Sequence, residues 1–216
     1  PDYVGAVTGD AVSGGTGNYV LMNSVGYTPR MFYVYKQLYT PDGQPIDNGY
    51  ADLNGDGVIN EKDKYHFHSA MPDYYTGFNT SFSYKRWTAA TALRASIGNY
   101  IFDNSIFDMA TLAQTLNPNG FLMNALPDLK NTNFHVKQNV SDYFVQNASF
   151  LKMDYVQLAY DFGQIAKGMY LRANATVQNV FTLTKYQGVD PEIPSGVDNN
   201  FYPNPRTFSI GLNLNF

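Results

Sequence analysis

The sequence predicts an all-β protein of antiparallel strands that cross a bilayer, and three observations predict it. Apolar and polar residues alternate with a period of two, most cleanly at the end, where Phe208, Ile210, Leu212, Leu214 and Phe216 interleave with Thr207, Ser209, Gly211, Asn213 and Asn215. A tilted transmembrane strand needs about 9–11 such residues. Short turns alternate with long connections along the chain. Aromatic residues make up 16% of the chain and charged residues only 15%, where a soluble domain carries about 25% charged. Of the aromatics, 18 are Tyr, whose apolar ring and polar hydroxyl suit a boundary between hydrocarbon and water.

Taken in order, 31–39 reads as a first strand. In 77–84, Phe78, Phe82 and Tyr84 share a face, and in 88–98 Ala89, Leu93 and Ile97 do so. Only Lys85, Arg86 and Trp87 connect these two, which predicts a tight hairpin. Val156, Leu158, Tyr160 and Phe162 alternate with Gln157, Ala159 and Asp161, whereas Leu151 and Met153 sit on the opposite phase. That change of phase predicts a bulge near Asp154. After a short turn at 163–168, Leu171, Ala173, Ala175, Val177, Phe181 and Leu183 share one face, opposite Arg172, Asn174, Thr176, Gln178 and Thr182. The final strand is the 207–216 stretch.

The remaining connections, 99–148 and 186–206, are long, and loops of that length usually have a function. Because short turns alternate with long loops, all the long loops are expected at one end of the sheet, the asymmetry of outer-membrane barrels. Six strands cannot close a barrel with an open lumen. The rest of the wall is therefore expected outside this sequence. A start at Pro1 without Met agrees with a processed chain or a piece of something larger.

Composition narrows the function. A length of 216 residues allows one domain of ordinary size or one large β domain. The aromatic content excludes intrinsic disorder. A net charge of −4 without a basic stripe argues against nucleic acid as a partner. With no cysteine, thiol catalysis and Cys-ligated metal sites are excluded. No apolar run approaches the ~18–20 residues of a membrane helix.

The residues that carry candidate chemistry lie in one loop. Asp52, Asn54 and Asp56 place oxygen ligands at loop positions one, three and five, Gly57 follows for the sharp turn, Val58 offers its carbonyl, and Asp63 ends the loop with a carboxylate. This is the spacing that wraps a chain around Ca²⁺. Ile59 is expected to anchor the loop, and Asn60 to bridge a water. Without a preceding amphipathic helix the ion is expected to be a structural staple rather than a sensor. An Asx- and Gly-rich turn without metal is the plainer alternative.

His66 and His68 share a strand face but lack a third ligand, so they are expected at the surface. His135 stands isolated. Asp190 and Glu192 flank Pro191 in a loop and read as a solvated turn rather than an acid–base pair. Arg94 and Arg172 fall on the polar phase of their strands, where they can face a lumen or pair within the wall. No arrangement of Ser, His and Asp suggests catalysis, and the chain is not expected to be an enzyme.

Several stretches resemble the C-terminal part of SusC/RagA-type TonB-dependent transporters. They are ADLNGDGVINEKD (51–63), GFNTSFSYKRW (77–87), RASIGNYIFD (94–103), ASFLKMDYVQLAYDF (148–162), QNVFTLTKYQGVDPE (178–192) and YPNPRTFSIGLNLNF (202–216). The resemblance implies the C-terminal part of a 22-stranded barrel in the outer membrane of a Gram-negative bacterium. Its implied partners are the remaining barrel and plug, a SusD-like surface lipoprotein acting as a lid, the TonB complex, outer-membrane lipid, and an oligosaccharide or peptide substrate. It also implies a periplasmic C-terminus, which puts Trp87 in the interfacial aromatic girdle, the turns at 85–87 and 163–168 in the periplasm, and both long loops and the 52–63 loop outside the cell. A secreted, calcium-stabilised β-sandwich that binds glycans is the alternative from a different class. It differs in needing no detergent.

Overall fold

The computed structural model describes residues 5–11, 19–115, 126–132, 134–199 and 202–216. Parts of both long connections (116–125, 133 and 200–201) therefore lie outside the described residues. The strands are β1 (Gly5–Ala11), β2 (Tyr19–Ser24), β3 (Met31–Tyr35), β4 (Gln37–Tyr39), β5 (Pro45–Tyr50), β6 (Lys64–Ser69) and β7 (Tyr74–Tyr84). They continue with β8 (Trp87–Ile97), β9 (Tyr100–Asp103), β10 (Val145–Asn147), β11 (Phe150–Ala166), β12 (Met169–Thr184), β13 (Val197–Asp198) and β14 (Thr207–Asn215). Three short helices, α1 (Asn104–Met109), α2 (Leu112–Thr115) and α3 (Leu129–Thr132), lie in the connection after β9. No helix among the described residues is long and apolar enough to cross a membrane.

The chain divides into two compact units rather than one domain. One, here the wall unit, comprises Asp73–Ile97, Ser149–Lys185 and Tyr202–Phe216. The other, the loop unit, comprises Pro1–Pro72, Gly98–Ala148 and Tyr186–Phe201.

The wall unit is a single antiparallel sheet in the order β14-β12-β11-β8-β7. Its strands are long because period-two sequences of this kind run without Pro from one end to the other. The two connections at one end are as tight as hairpins allow. Lys85 and Arg86 join β7 to β8, with Lys85 at φ 53, and Lys167 and Gly168 join β11 to β12, with Gly168 at φ 78. Positive φ costs Gly nothing and Lys something. The expected turn at 163–168 is thus shorter than its sequence suggests, because β11 runs on to Ala166 through register shifts at Asp161/Gly163 and Gln164/Ala166.

The bulge expected near Asp154 is present: pairing with β8 passes from Met153↔Leu93 to Tyr155↔Ala92, and the pairing with β12 shifts at the same place. It returns Met153 and Val156, opposite Leu93 and Thr91, to one face. That face carries Phe78, Phe82, Leu158, Phe208, Ile210 and Leu212, all well exposed. The opposite face carries Ser81, Ser83, Gln157, Asn174, Thr176 and Asn213. No second sheet packs on either face within this unit, so the sandwich reading has no counterpart in it.

The loop unit has its own core. Its sheets are β1-β2-β3-β6 and β10-β9-β13, with β4-β5 as a separate hairpin. The strand expected at 31–39 splits at Lys36 into β3 and β4 and belongs here, not to the wall. Phe32 and Val34 turn inward to join Val20, Leu21 and Val197, which leaves the wall with five strands rather than six. Phe102, Phe107, Phe134 and Phe144 pack ring against ring, with centroids between 5.1 and 6.2 Å. Burying each such ring contributes roughly 1.5–3 kcal/mol toward the entropy lost in ordering these connections.

Candidate functional site

Three places concentrate chemistry: the polar face of the wall, the acidic loop, and a buried acid pair in the loop unit. On the polar face, Arg94 Nε donates to both oxygens of Asp154 at 2.9 and 3.0 Å. Asp154 sits at the bulge, so the irregularity brings a carboxylate to the cation of the neighbouring strand. Of the two roles open to Arg94, the structure gives pairing within the wall. Arg172 stands opposite Asp161 and Asn213 in register. With the side chains of Arg94 and Asp154 25% and 34% exposed, solvent screens the pair, and Asp154→Asn is expected to cost about 1 kcal/mol. Chemical denaturation of the assembled protein measures it.

Near the tight turns, Trp87 lies 4.6 Å from Tyr160 and Tyr160 lies 4.8 Å from Phe162, with Tyr84 opposite Trp87 in register. Aromatic side chains thus gather at that end of the wall.

The acidic loop is held by its own side chains. Asp52 accepts from the amides of Gly55 and Gly57 at 2.7 and 2.8 Å, Asn54 from Asp56 at 2.9 Å, and Asp56 from Val58 at 2.9 Å. Gly55 and Gly57 take φ 75 and 78, the left-handed region that lets the chain turn so sharply. The Val58 carbonyl accepts from the Asn60 side chain at 3.0 Å. Asp63 closes the loop: Oδ1 accepts from the amides of Leu53 and Asn54, and Oδ2 from Asn60. Asn60 caps the turn Glu61–Asp63 in return by accepting from the Lys62 amide.

The anchor of the loop is therefore Asp63, which is fully buried, and not Ile59, which is 40% exposed. The Asn60 amide holds the Asp63 carboxyl below its usual range against the opposing effect of burial, and the amides of Asn54 and Leu53 and the Asp52 side chain add to this. Among the described residues no three His, Cys, Asp or Glu side chains are gathered at one point to hold a metal.

The histidines are engaged in packing. His66 stacks on Tyr27 at 3.8 Å, and its Nε2 lies 2.9 Å from Ser24 Oγ. Burial lowers its pKa. His68 stacks on Tyr100 at 3.7 Å. His135 is not isolated: its Nδ1 lies 3.3 Å from Asp47. Asp190 accepts from the Glu192 amide at 3.0 Å, a local turn as expected.

Sequence reasoning missed the third place. Asp103 and Asp198 stand in register on the parallel strands β9 and β13, both buried. Asp103 Oδ1 caps α1 by accepting from the Ile106 amide at 2.9 Å, and the Tyr186 hydroxyl donates to Asp198 at 2.6 Å. Burial, and next to it the Asp198 charge, raise the Asp103 pKa to about 6, although the Ile106 amide pulls it down. An Asp directly before a helix was the available signal for the cap. Nothing local in the sequence announces the partner, which lies 95 residues on.

Comparison with known proteins sets this geometry in a family. The chain is 38% identical over 215 residues to the TonB-dependent receptor SusC of Bacteroides thetaiotaomicron, covering 96% of this chain and 21% of that protein. It is 28% identical over 197 residues to the TonB-dependent receptor P3 of Formosa agariphila, covering 81% of this chain and 19% of that protein. Among solved structures it superposes on the RagAB peptide importer in the open-open state with a TM-score of 0.69, at 21% identity, covering 93% of this chain and 24% of that one. The RagAB peptide transporter gives a TM-score of 0.67 at 22% identity, with 93% and 24% covered. No family model matches the chain. The chain spans about a fifth of the length of the curated relatives it matches. With an antiparallel wall of this form and these relatives, the chain belongs to the SusC/RagA type of TonB-dependent receptors, as a C-terminal segment.

Proposed function

We propose that this chain supplies the closing part of the barrel wall and the extracellular loops of a TonB-dependent importer of oligosaccharides or peptides in the outer membrane of a Gram-negative bacterium. The observation that carries this reading is the division of the molecule. A single-layer sheet with one apolar and one polar face has two-residue turns at one end, and the segments leaving its other end fold into a unit of their own. A sheet apolar on one face and polar on the other suits a wall between lipid and a wet lumen.

In this reading the remaining strands complete a 22-stranded barrel around a plug, the TonB complex drives import through that plug, and a SusD-like lipoprotein covers the mouth. The loop unit lies beneath that lid. The stiff Tyr202–Pro205 stretch, with Tyr202 94% exposed, loses little entropy on docking. Deleting the gene and comparing growth on defined oligosaccharides and defined peptides tests the importer role and names the substrate. Unchanged growth and uptake on every source would contradict it.

We also propose that the acidic loop takes a structural Ca²⁺ through Asp52, Asn54, Asp56, the Val58 carbonyl and Asp63. The donor set is all oxygen, as a hard cation requires. Most of these side-chain oxygens accept one amide hydrogen, and an oxygen has a second lone pair to give. Asp63 Oδ1 already accepts two, so Asp63 would bind through Oδ2 alone. Because the described residues gather no three acidic side chains at one point, binding would draw Asp52, Asp56 and Asp63 together around the ion. Ligand at a hundredfold over its Kd stabilises by about 2.7 kcal/mol. Calcium is therefore expected to raise the melting temperature of the loop unit relative to chelator, and Asp52→Ala to remove the increase. Identical melting in calcium and chelator would reject the site.

A further inference from the structure

The loop unit contains a cavity of about 200 Å³ lined by Tyr35, Glu61, Lys64, Phe107, Lys137 and the 138–140 segment. Two lysines line it, the ammonium group of each lying near a buried ring and a carboxylate. Lys64 Nζ lies 5.2 Å from the centre of the Tyr35 ring and 2.8 Å from Glu61. Lys137 Nζ lies 5.3 Å from the centre of the Phe107 ring and 3.2 Å from Asp108. Both rings are buried, so they hold the lysine stems in place.

Two lysines and one glutamate line the cavity, and Asp108, which pairs with Lys137 from outside the lining, brings the formal charge around it to zero. The Lys64 side chain is only 9% exposed, while its partner Glu61 is 77% exposed. Water screens that partner's charge, so an ammonium withdrawn from water is incompletely balanced by it. An ammonium carries three donors, and the carboxylate named for each lysine accepts one of them. The Tyr35 hydroxyl donates to Glu61 at 3.5 Å and stays protonated at physiological pH, because burial and the Glu61 charge push its pKa up to about 12. The floor is rigid. Gln138 is buried, its Oε1 accepting from the Asn48 amide at 2.7 Å and its Nε2 donating to Asp47 and the Val136 carbonyl.

We propose that this cavity binds a carboxylate-bearing group, held between the Lys64 and Lys137 ammonium ions. A singly charged anion would supply the withdrawn Lys64 ammonium with a partner that water does not screen, as the exposed Glu61 is screened, and would bring the least added charge beside Glu61 and Asp108. A doubly charged phosphate would meet the Glu61 carboxylate with no guanidinium fork to favour it. The volume admits the carboxylate with a few adjoining atoms, such as the free end of a peptide or the acid group of a uronic sugar. The proposal stands on the cavity alone and does not depend on what the receptor imports.

Calorimetry on the intact detergent-solubilised receptor tests it, with two matched pairs of probes: N-acetyl-dialanine against its C-terminal amide, and glucuronic acid against glucose. At least one acid is expected to bind tenfold or more tighter than its neutral counterpart, and which acid does so identifies the source of the carboxylate. Lys137→Met, at an exposed lysine whose loss leaves the core intact, is expected to abolish the preference. Hydrogen exchange in β9 and α1 should stay unchanged, which shows that the unit is folded. Equal binding of acid and neutral probe in both pairs, no binding by any probe, or a preference that survives Lys137→Met would overturn the proposal.

Discussion

Replacing Ile210 by Arg is expected to cost the assembled barrel about 2–4 kcal/mol, and replacing Ser209 by Arg much less. The two residues are neighbours on β14 and differ in the face they take. Ile210 stands beside Ala175 in register and Ser209 beside Thr176, so the first belongs to the apolar face and the second to the polar one. Ile210 is 86% exposed, Phe208 73% and Leu212 71%. In water such a row would be a large apolar patch of the kind soluble monomers rarely carry. In lipid it is at rest, and a guanidinium placed among acyl chains is not. Denaturant titration of the full receptor in bilayers measures both variants. Equal losses on the two faces would show that the apolar face does not meet hydrocarbon.

The Asp103 site is expected to favour the folded loop unit more at pH 5 than at pH 8, in the opposite sense to a salt-bridged carboxylate and to His66, whose pKa burial lowers. Asp103 is the cause. Its ordinary value is 3.8, and burial followed by the Asp198 charge raises it to about 6 in the folded chain, with Asp128 adding to the same effect and the amides of Ile106 and Ser105 opposing it. The folded state therefore holds its proton more tightly than the unfolded state. Above pH 6 the buried charge costs about 3 kcal/mol. That cost is relieved progressively as pH falls from 6 toward 3.8.

Facing Asp103 are Asp198 on β13, Gln146 on β10, whose amide donates to Oδ2 at 3.3 Å, and the Tyr186 hydroxyl on Asp198. None of them is a cation that would offset the charge. Asp103→Asn keeps the helix cap, since Asn is as good there as Asp. The variant is expected to be up to about 3 kcal/mol more stable at pH 8 and little changed at pH 4. Hydrogen exchange of the β9 and α1 amides across this range reads the difference. Parallel pH profiles for the two proteins would dispose of the explanation.

The wall could be read in the sequence because a half-wet strand writes its environment every second residue. Phe208 to Leu214 and Leu171 to Val177 needed no further information, and the phase change between Met153 and Val156 located the bulge. The loop unit was not readable in that way. Its core draws Leu21, Phe32, Phe102, Phe144 and Val197 from three segments separated by wall strands. No segment buries a regular face, so each looked like a long loop, and 31–39 looked like one more wall strand.

The acidic loop was legible in its Gly and Asx spacing but not in its packing. A carboxylate that ends a loop and one that coordinates from the same position are written with the same residue, and the amides of Leu53, Asn54 and Asn60 around Asp63, which give it the first role, have no signature in the sequence. The cavity between Lys64 and Lys137 and the Asp103–Asp198 pair join residues some 70 to 95 positions apart, and no local pattern encodes such meetings.

In the proposed orientation the sheet is a membrane wall whose tight turns face the periplasm and whose long connections face the outside. Labelling intact cells with a maleimide on a polymer too large to pass the outer membrane tests it most directly. Cysteine is absent from this chain, so single replacements can be introduced at Val189, which is exposed in the connection after β12, and at Lys167 in the tight turn. Val189→Cys is expected to react in intact cells, and Lys167→Cys only after the outer membrane is permeabilised. Reaction of Lys167→Cys in intact cells, with Val189→Cys protected, would contradict that orientation.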